Sequence, residues 1–296
     1  MAEGETGFDH VLGFGITDRH ARGRIVRLGP VLNTILAAHD YPPPIRHLLG
    51  EALVITALIG SLIKNDGSQL TIQAQTEGGI VDLLVCDFRG GELRGYIRHD
   101  ADRLAMLGAN PSLYALFGKG YLAITFDLAA GGQRYQGIVP LEGASLADAC
   151  QSYFAQSEQL PTLIRVAVLW DGQSCIAGGM LVQHLAEGED GRERLHVRLD
   201  HPEWEHVAVM AGSAKHGELV DHTLTLEALV WRLFHEEREV RVQPAVVLTR
   251  GCRCSIAHYQ DVLARFPEAD RAEMRSASGT IDVDCAFCSR LFAITA

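Results

Sequence analysis

The chain has 296 residues, 47% of them hydrophobic and 21% charged, which is enough ordinary globular material for one large domain or two to three smaller ones. Its formal net charge of −11 argues against nucleic acid or an anionic membrane as the main partner, since both demand clustered Lys and Arg. A chain of this size can bury a sizeable core, so its seven cysteines are not needed as staples.

The opening "MAEGETGFDHVLGF" has no basic n-region and no apolar h-region, which predicts no signal peptide and a reducing, cytoplasmic setting where static disulfides are rare. "GITDRHARGRIV" (residues 15–26) fits a strand or hairpin arm. "LGPVLNTILAAHD" and "PPPIRHLLGEALVITALIGSLI" read as helices, the second entered through Pro42, Pro43 and Pro44. Its apolar run, Leu48 to Ile63, is shorter than the roughly 18–20 residues that span a bilayer, and Glu51 interrupts it, so it predicts a buried helix. A turn at Asn65 to Gln69 opens a series of short strand-like runs: "LTIQAQT", "IVDLLVCDF", "LRGYIRH", "GYLAITFDL" and "QRYQGIVPL". Gly and Asp/Gly turns bound them, as in an antiparallel sheet. A helix from Ser145 to Ser157 follows. Two strands, "TLIRVAVLW" and "CIAGGMLVQHL", then flank a hairpin turn at Asp171 to Ser174.

Composition shifts at "AEGEDGRER" (residues 186–194), a polar stretch that reads as a boundary or connection. From residue 195 to about 240 the pattern is helical, with Leu226, Leu229, Val230, Leu233 and Phe234 on one stripe and Asp221 or Thr223 available as a cap. "REVRVQPAVVLTR" is a strand-like lead into the cysteines. The whole predicts an α+β chain: a mixed N-terminal domain (residues 1–186) with a largely antiparallel sheet, a helical linker (187–247) that Gly212, Gly217 and polar interruptions make a metastable unit, and a small C-terminal zinc module (248–296).

That module carries Cys252-Arg253-Cys254 and Cys285-Ala286-Phe287-Cys288. Two paired half-sites can close a tetrahedral Cys₄ shell around zinc, which also stabilises thiolates. Cys86, Cys150 and Cys175 lie singly in apolar segments and read as ordinary buried residues. A C-x-C is uncommon where only a scaffold is needed. Its Cα atoms stand at most about 7 Å apart when extended, and a disulfide wants about 4.4–6.8 Å, so the pair can bridge if the chain bends. Metal at rest and disulfides under oxidation are both open to such a set. Of the thirteen histidines, seven lie between His184 and His235, and they form no metal-binding H-x-x-x-H with a suitable acid. His258 could compete as a ligand, but four cysteines already complete a shell.

The C-x-C-S…C-x-F-C constellation resembles that of the redox-regulated 33 kDa heat-shock chaperone family of bacteria. "LRGYIR" (Leu93 to Arg98), "YFAQSEQLPT" (Tyr153 to Thr162), "AGGMLVQ" (Ala177 to Gln183) and "VWRLFHEE" (Val230 to Glu237) extend the resemblance over nearly the whole chain. "IAH" after the C-x-C-S and the tyrosine-free "RLFAITA" depart from it. The resemblance implies a non-enzymatic, ATP-independent holdase that is inactive when reduced with one zinc on Cys252, Cys254, Cys285 and Cys288. Oxidation would pair Cys252 with Cys254 and Cys285 with Cys288, release zinc, unfold the module and loosen the linker. Unfolding client proteins would then bind, and activation would favour a homodimer. The residues themselves agree: a loosened helical stretch would offer apolar surface such as Trp204, Val207, Leu229, Trp231 and Phe234 to clients. Two rival classes are a thiol–disulfide oxidoreductase using Cys285 and Cys288, and a zinc-ribbon module for nucleic acid or protein.

Overall fold

The computed structural model describes residues 7–63, 67–129, 132–185 and 201–295. The polar connection expected at 186–194, the start of the helical region at 195–200, and Asn65 and Asp66 of the expected turn lie outside the described residues.

Strands His10–Ile16 (β1) and Ala21–Leu28 (β2) pair antiparallel across a 3-10 turn, with Ile16 opposite Ala21. Helices Pro30–Leu36 (α1) and Pro43–Gly60 (α2) each begin on proline, whose fixed φ and missing N–H suit a first turn. Gln69–Thr76 (β3), Val81–Arg89 (β4) and Glu92–His99 (β5) form a meander. Short helices Ala101–Ala105 (α3) and Leu113–Phe117 (α4) precede the pair Gly120–Asp127 (β6) and Arg134–Pro140 (β7). Leu146–Tyr153 (α5) opens on a Ser145/Asp148 capping box and passes into a π-turn at Phe154–Glu158, so the helix expected from 145 to 157 changes winding partway. Thr162–Trp170 (β8) and Cys175–His184 (β9) make the expected hairpin.

Helices Pro202–Gly212 (α6), His216–Val220 (α7) and Leu226–Phe234 (α8) come next. They are followed by Val240–Val247 (β10), Thr249–Arg250 (β11), Ile256–Leu263 (α9), Glu268–Met274 (α10), Ile281–Asp284 (β12) and Leu291–Ile294 (β13). The cap of α8 is Thr225, whose hydroxyl accepts from the Ala228 N–H, rather than Asp221 or Thr223. Asp221 spends its carboxylate on the N–H and hydroxyl of Thr223, one turn too early to reach the helix.

A five-stranded antiparallel sheet has the order β10-β1-β2-β9-β8, and a six-stranded one has the order β11-β5-β4-β3-β6-β7. Within the second, only β11 is parallel to its neighbour, Thr249 standing opposite Glu92. Helix α2 packs against strands of both sheets, and 14 of its 18 residues are buried. That is why its sequence is apolar on every side. No helix among the described residues is long and apolar enough to cross a membrane.

Glu51 is the buried ionisable side chain of this helix. Its Oε1 accepts from the Ala147 N–H at 3.1 Å, bracing the first turn of α5. Burial pushes its carboxyl up to about 7, against the backbone hydrogen bonds that favour its charge. The folded chain therefore takes up a proton that an ordinary glutamate has lost. The stability this contributes is complete below the ordinary value of 4.5 and is lost as pH rises through about 7. Glu51→Gln is expected to stabilise the protein at pH 8 by up to roughly 3 kcal/mol, with the gain fading by pH 4–5. Denaturant melts of both proteins across this range check it.

The other face of the five-stranded sheet carries a second core. Leu12, Phe14, Ile16, Ile25, Met180 and Val182 of the sheet meet Trp204, Val207, Leu229, Val230, Leu233 and Phe234 of α6 and α8. The Phe14 and Phe234 rings lie 5.7 Å apart. Gly178 permits close approach here: a Cβ on it would sit 2.1 Å from the Leu219 carbonyl oxygen of α7. Beside it in the ladder, Arg27 is fully buried and donates to the carbonyls of Glu218, Leu219 and Leu224. Arg19 adds a clasp at the sheet's end, binding Glu203 before α6 has turned once and Glu237 just beyond α8. His206 shares Glu237. Burial opposes charge on Glu237, but Arg19 and His206 outweigh it and hold its carboxyl below the usual range.

Candidate metal centre

The chain reaches the first cysteine pair along a strand. Gly251 continues β11 by donating its N–H to the Leu93 carbonyl at 3.0 Å. Only glycine fits, because a Cβ there would meet the Glu92 Cβ at 2.5 Å. Cys252 and Cys254 follow at once, and Ser255 caps α9 by accepting from the His258 N–H. The second pair sits on the turn between β12 and β13. There the Cys285 carbonyl accepts from the N–H groups of Cys288 and Ser289, at 3.1 and 2.7 Å. Ser289 takes a left-handed φ of 54° to close the turn.

These two loops face each other. The Sγ atoms of Cys252, Cys254, Cys285 and Cys288 all lie within 4.8 Å of one another. Cys252–Cys254 is separated by 3.2 Å, Cys254–Cys288 by 3.5 Å and Cys252–Cys285 by 3.6 Å. Sulfurs held at about 2.3 Å around a tetrahedral ion stand roughly 3.8 Å apart, so the donor set fits a soft divalent cation. Among the described residues, this is the one group of three or more His, Cys, Asp or Glu side chains placed for a metal. His258 is not part of it; its ring lies against Tyr259. Cys86, Cys150 and Cys175 are buried elsewhere in the core.

The electrostatics suit the same chemistry. Burial works against charge on Cys285, but the Tyr259 hydroxyl and the N–H groups of Phe287 and Cys288 outweigh it and bring the thiol down to about 7. Burial, reinforced by the other sulfurs, pushes the Cys254 thiol well up, and burial also raises Cys288. One sulfur is therefore ready to ionise, while the ionisation of Cys254 and Cys288 calls for a cation among them.

The apolar core of this region is small. Its core consists of Leu263, Ile281, Cys285, Phe292 and Ile294, with the other three cysteines, Tyr259, Val283 and Phe287 partly buried around them. A cluster of that size is too small to be secure without a metal.

The cysteine turn also touches the six-stranded sheet. Phe287 inserts between Arg94, whose guanidinium lies 4.0 Å from the ring centre, and Tyr96, whose ring meets it edge-on at 5.0 Å. Arg94 is fixed by Asp87. Arg253, between the first two cysteines, donates to Gln69 and reaches Glu92 at 3.7 Å. Ser289 hydrogen-bonds His39 at 3.1 Å. Sequence reasoning did not find this docking site or Arg27. The alternation in "LRGYIR" puts Arg94 and Tyr96 on one strand face, but no local signal ties them to Phe287, almost two hundred residues away.

Of the residues expected to meet clients, Trp204 and Val207 of α6 and Leu229 and Phe234 of α8 are buried against the five-stranded sheet, whereas Trp231 is 65% exposed.

A family model described as Hsp33 protein matches residues 9–295. The 33 kDa chaperonin of Caulobacter vibrioides is 38% identical over 291 residues, covering 96% of this chain and 94% of that protein. The 33 kDa chaperonin of Yersinia pestis is 35% identical over 268 residues, covering 90% of this chain and 85% of its own. A crystal structure of the 33 kDa chaperonin, a heat shock protein 33 homologue, from Thermotoga maritima shares the fold. Its TM-score is 0.79 at 22% identity, over 97% of this chain and 94% of that one.

Proposed function

The chain belongs to the Hsp33 family of chaperones, and from that premise we propose that it is a redox-regulated, ATP-independent holdase. In the reduced state Cys252, Cys254, Cys285 and Cys288 hold one zinc ion, and the protein is inactive. Bound there, zinc would supply the positive charge that keeps four thiolates together and on the order of 10 kcal/mol of folding free energy. The observation that carries this reading is the convergence of the four sulfurs within 4.8 Å inside a module whose own apolar core is small.

Oxidation reverses the arrangement. Cys252 pairs with Cys254, and Cys285 with Cys288. Each pair of thiols forms one S–S bond and yields two electrons and two protons, which reduce one hydrogen peroxide to two waters. The 3.2 Å approach of Cys252 to Cys254 favours the first pairing, with the cross pairs at 3.5 and 3.6 Å as competitors. With no thiolate left to hold a cation, residues 248–296 lose their fold. The linker, residues 187–247, then loosens from the core domain, residues 1–186, and uncovers apolar surface to which unfolding proteins adhere. The active form is a homodimer working in the cytoplasm on protein clients, without nucleic acid or membrane partners and without catalysis.

Light scattering from a thermally unfolding client tests this. Suppression by the oxidised, zinc-free protein and none by the reduced, zinc-loaded protein is expected. Failure of both forms, or catalytic reduction of insulin disulfides, would move the reading to another class. Trp231 supplies a finer check, since it is already exposed and contributes little to the resting core. Trp231→Ser is expected to leave resting stability within about 0.5 kcal/mol and to weaken client protection several-fold. Unchanged protection would remove Trp231 from the client surface.

A further inference from the structure

Strand β10 is held unlike any other strand of its sheet. From Arg241 to Val247 every side chain is exposed; only Val240 touches the second core. What binds β10 is its ladder with β1, from Ile16 opposite Val240 to His10 opposite Val247. Backbone pairing of this kind reads no sequence. Pro244 sits where the register shifts between Val11 and Gly13, a place that tolerates a missing N–H only because the strand is an edge. At its far end the chain runs through the two residues of β11 straight into Cys252. At its near end it leaves α8. The strand is thus suspended between the redox module and the linker helices, the two parts proposed to come loose.

Beneath it, β1 has the opposite character. Leu12, Phe14 and Ile16 are buried and point into the second core, under Trp204, Val207 and Phe234. If α6 to α8 lift and β10 detaches, β1 is left with a row of unpaired backbone groups beside a fresh apolar face. An exposed edge of that kind is a template for another strand.

We propose that the β1 edge, His10–Ile16, is a client-binding site that takes an extended segment of an unfolding polypeptide by antiparallel strand addition, in the place β10 vacates. The inference rests on the holdase reading above. The bound segment satisfies the β1 backbone groups whatever its sequence, and its alternate apolar side chains extend the apolar face of Leu12, Phe14 and Ile16 by one strand. β10 itself shows the geometry, since it occupies this edge with almost no side-chain contribution. In the resting protein it acts as the edge's own cover.

Residue-resolved hydrogen exchange on the full chain tests this, with reduced, carboxymethylated α-lactalbumin as a permanently unfolded client and co-elution to score binding. Oxidation alone is expected to reduce protection at least tenfold in residues 240–247 and in the β1 amides that face them. With client bound, the β1 amides recover protection and residues 240–247 do not. Bound client with β1 still unprotected overturns the site while leaving the holdase reading intact. So does continued protection of residues 240–247 in the oxidised protein. Concentration-dependent protection of β1 without client overturns it in favour of a strand from a second copy. If no client co-elutes with the oxidised protein, the holdase reading fails and the site falls with it.

Discussion

Cys285→Ser is expected to abolish stoichiometric zinc binding and to leave residues 252–295 without stable structure in the reduced protein. Cys285 is the buried one of the four sulfurs and belongs to the small core around Leu263, Ile281 and Phe292. Its thiol is also brought down to about 7, with the Tyr259 hydroxyl and two backbone N–H groups directed at it. A serine oxygen is hard and stays protonated, so the set loses both a soft donor and a charge. The expected loss is most of the roughly 10 kcal/mol that a structural zinc site gives its domain, against a core of five buried side chains. Metal analysis should fall from one zinc per chain to a small fraction of one, and exchange protection in β12 and β13 should vanish. Client protection should then appear without oxidant. A variant that keeps one tightly bound zinc would show that the four cysteines are not the ligand set.

Phe234→Ser is expected to activate the reduced protein with zinc still in place. The ring is buried between α8 and the sheet, 5.7 Å from Phe14. Truncating a buried Phe costs about 3–5 kcal/mol, and here the cost falls on the contact that seats α8 on the sheet. That compares with about 5–15 kcal/mol for the stability of a whole domain, so a locally docked unit should open far more often. Increased binding of an apolar dye and partial client protection under reducing conditions should accompany retained zinc and near-normal helix content. Leu229→Ala, also in this core, should give a weaker version of the same effect. Full inactivity of both reduced variants, with the fold intact, would mean that linker docking does not govern activity.

The parts of this structure legible in the sequence are those set by local periodicity and spacing. The buried character of α2 follows from its unbroken apolar run, and the hairpin β8–β9 from "DGQS" between two strand-like segments. The cysteines were legible because tight turns bring C-x-C and C-x-x-C sulfurs together without help from the rest of the fold. Long-range contacts were not. Arg27 looks like one more charged residue of an alternating strand, yet it is buried and binds three carbonyls at Glu218, Leu219 and Leu224. Phe287 looks like filler between two ligands, yet it plugs the space between Arg94 and Tyr96. The lead into the cysteines reads as a strand, but nothing in it announces that β10 closes the edge beside β1, more than two hundred residues earlier. The α8 cap was misplaced by two residues or more because Asp221, Thr223 and Thr225 are all good caps, and the choice depends on where the apolar stripe settles on the sheet.

The central claim is that oxidation of four cysteines, and nothing upstream of it, switches client binding on. The most direct measurement follows a single sample of reduced, zinc-loaded protein after addition of peroxide. Free thiols, released zinc (with a chelating dye) and suppression of client light scattering are recorded over time. The account predicts loss of four thiols and release of one zinc per chain, with protection appearing no earlier than zinc release and reaching its full extent with it. Protection that is complete before thiols are lost, or absent after all four are oxidised and zinc is free, would contradict it.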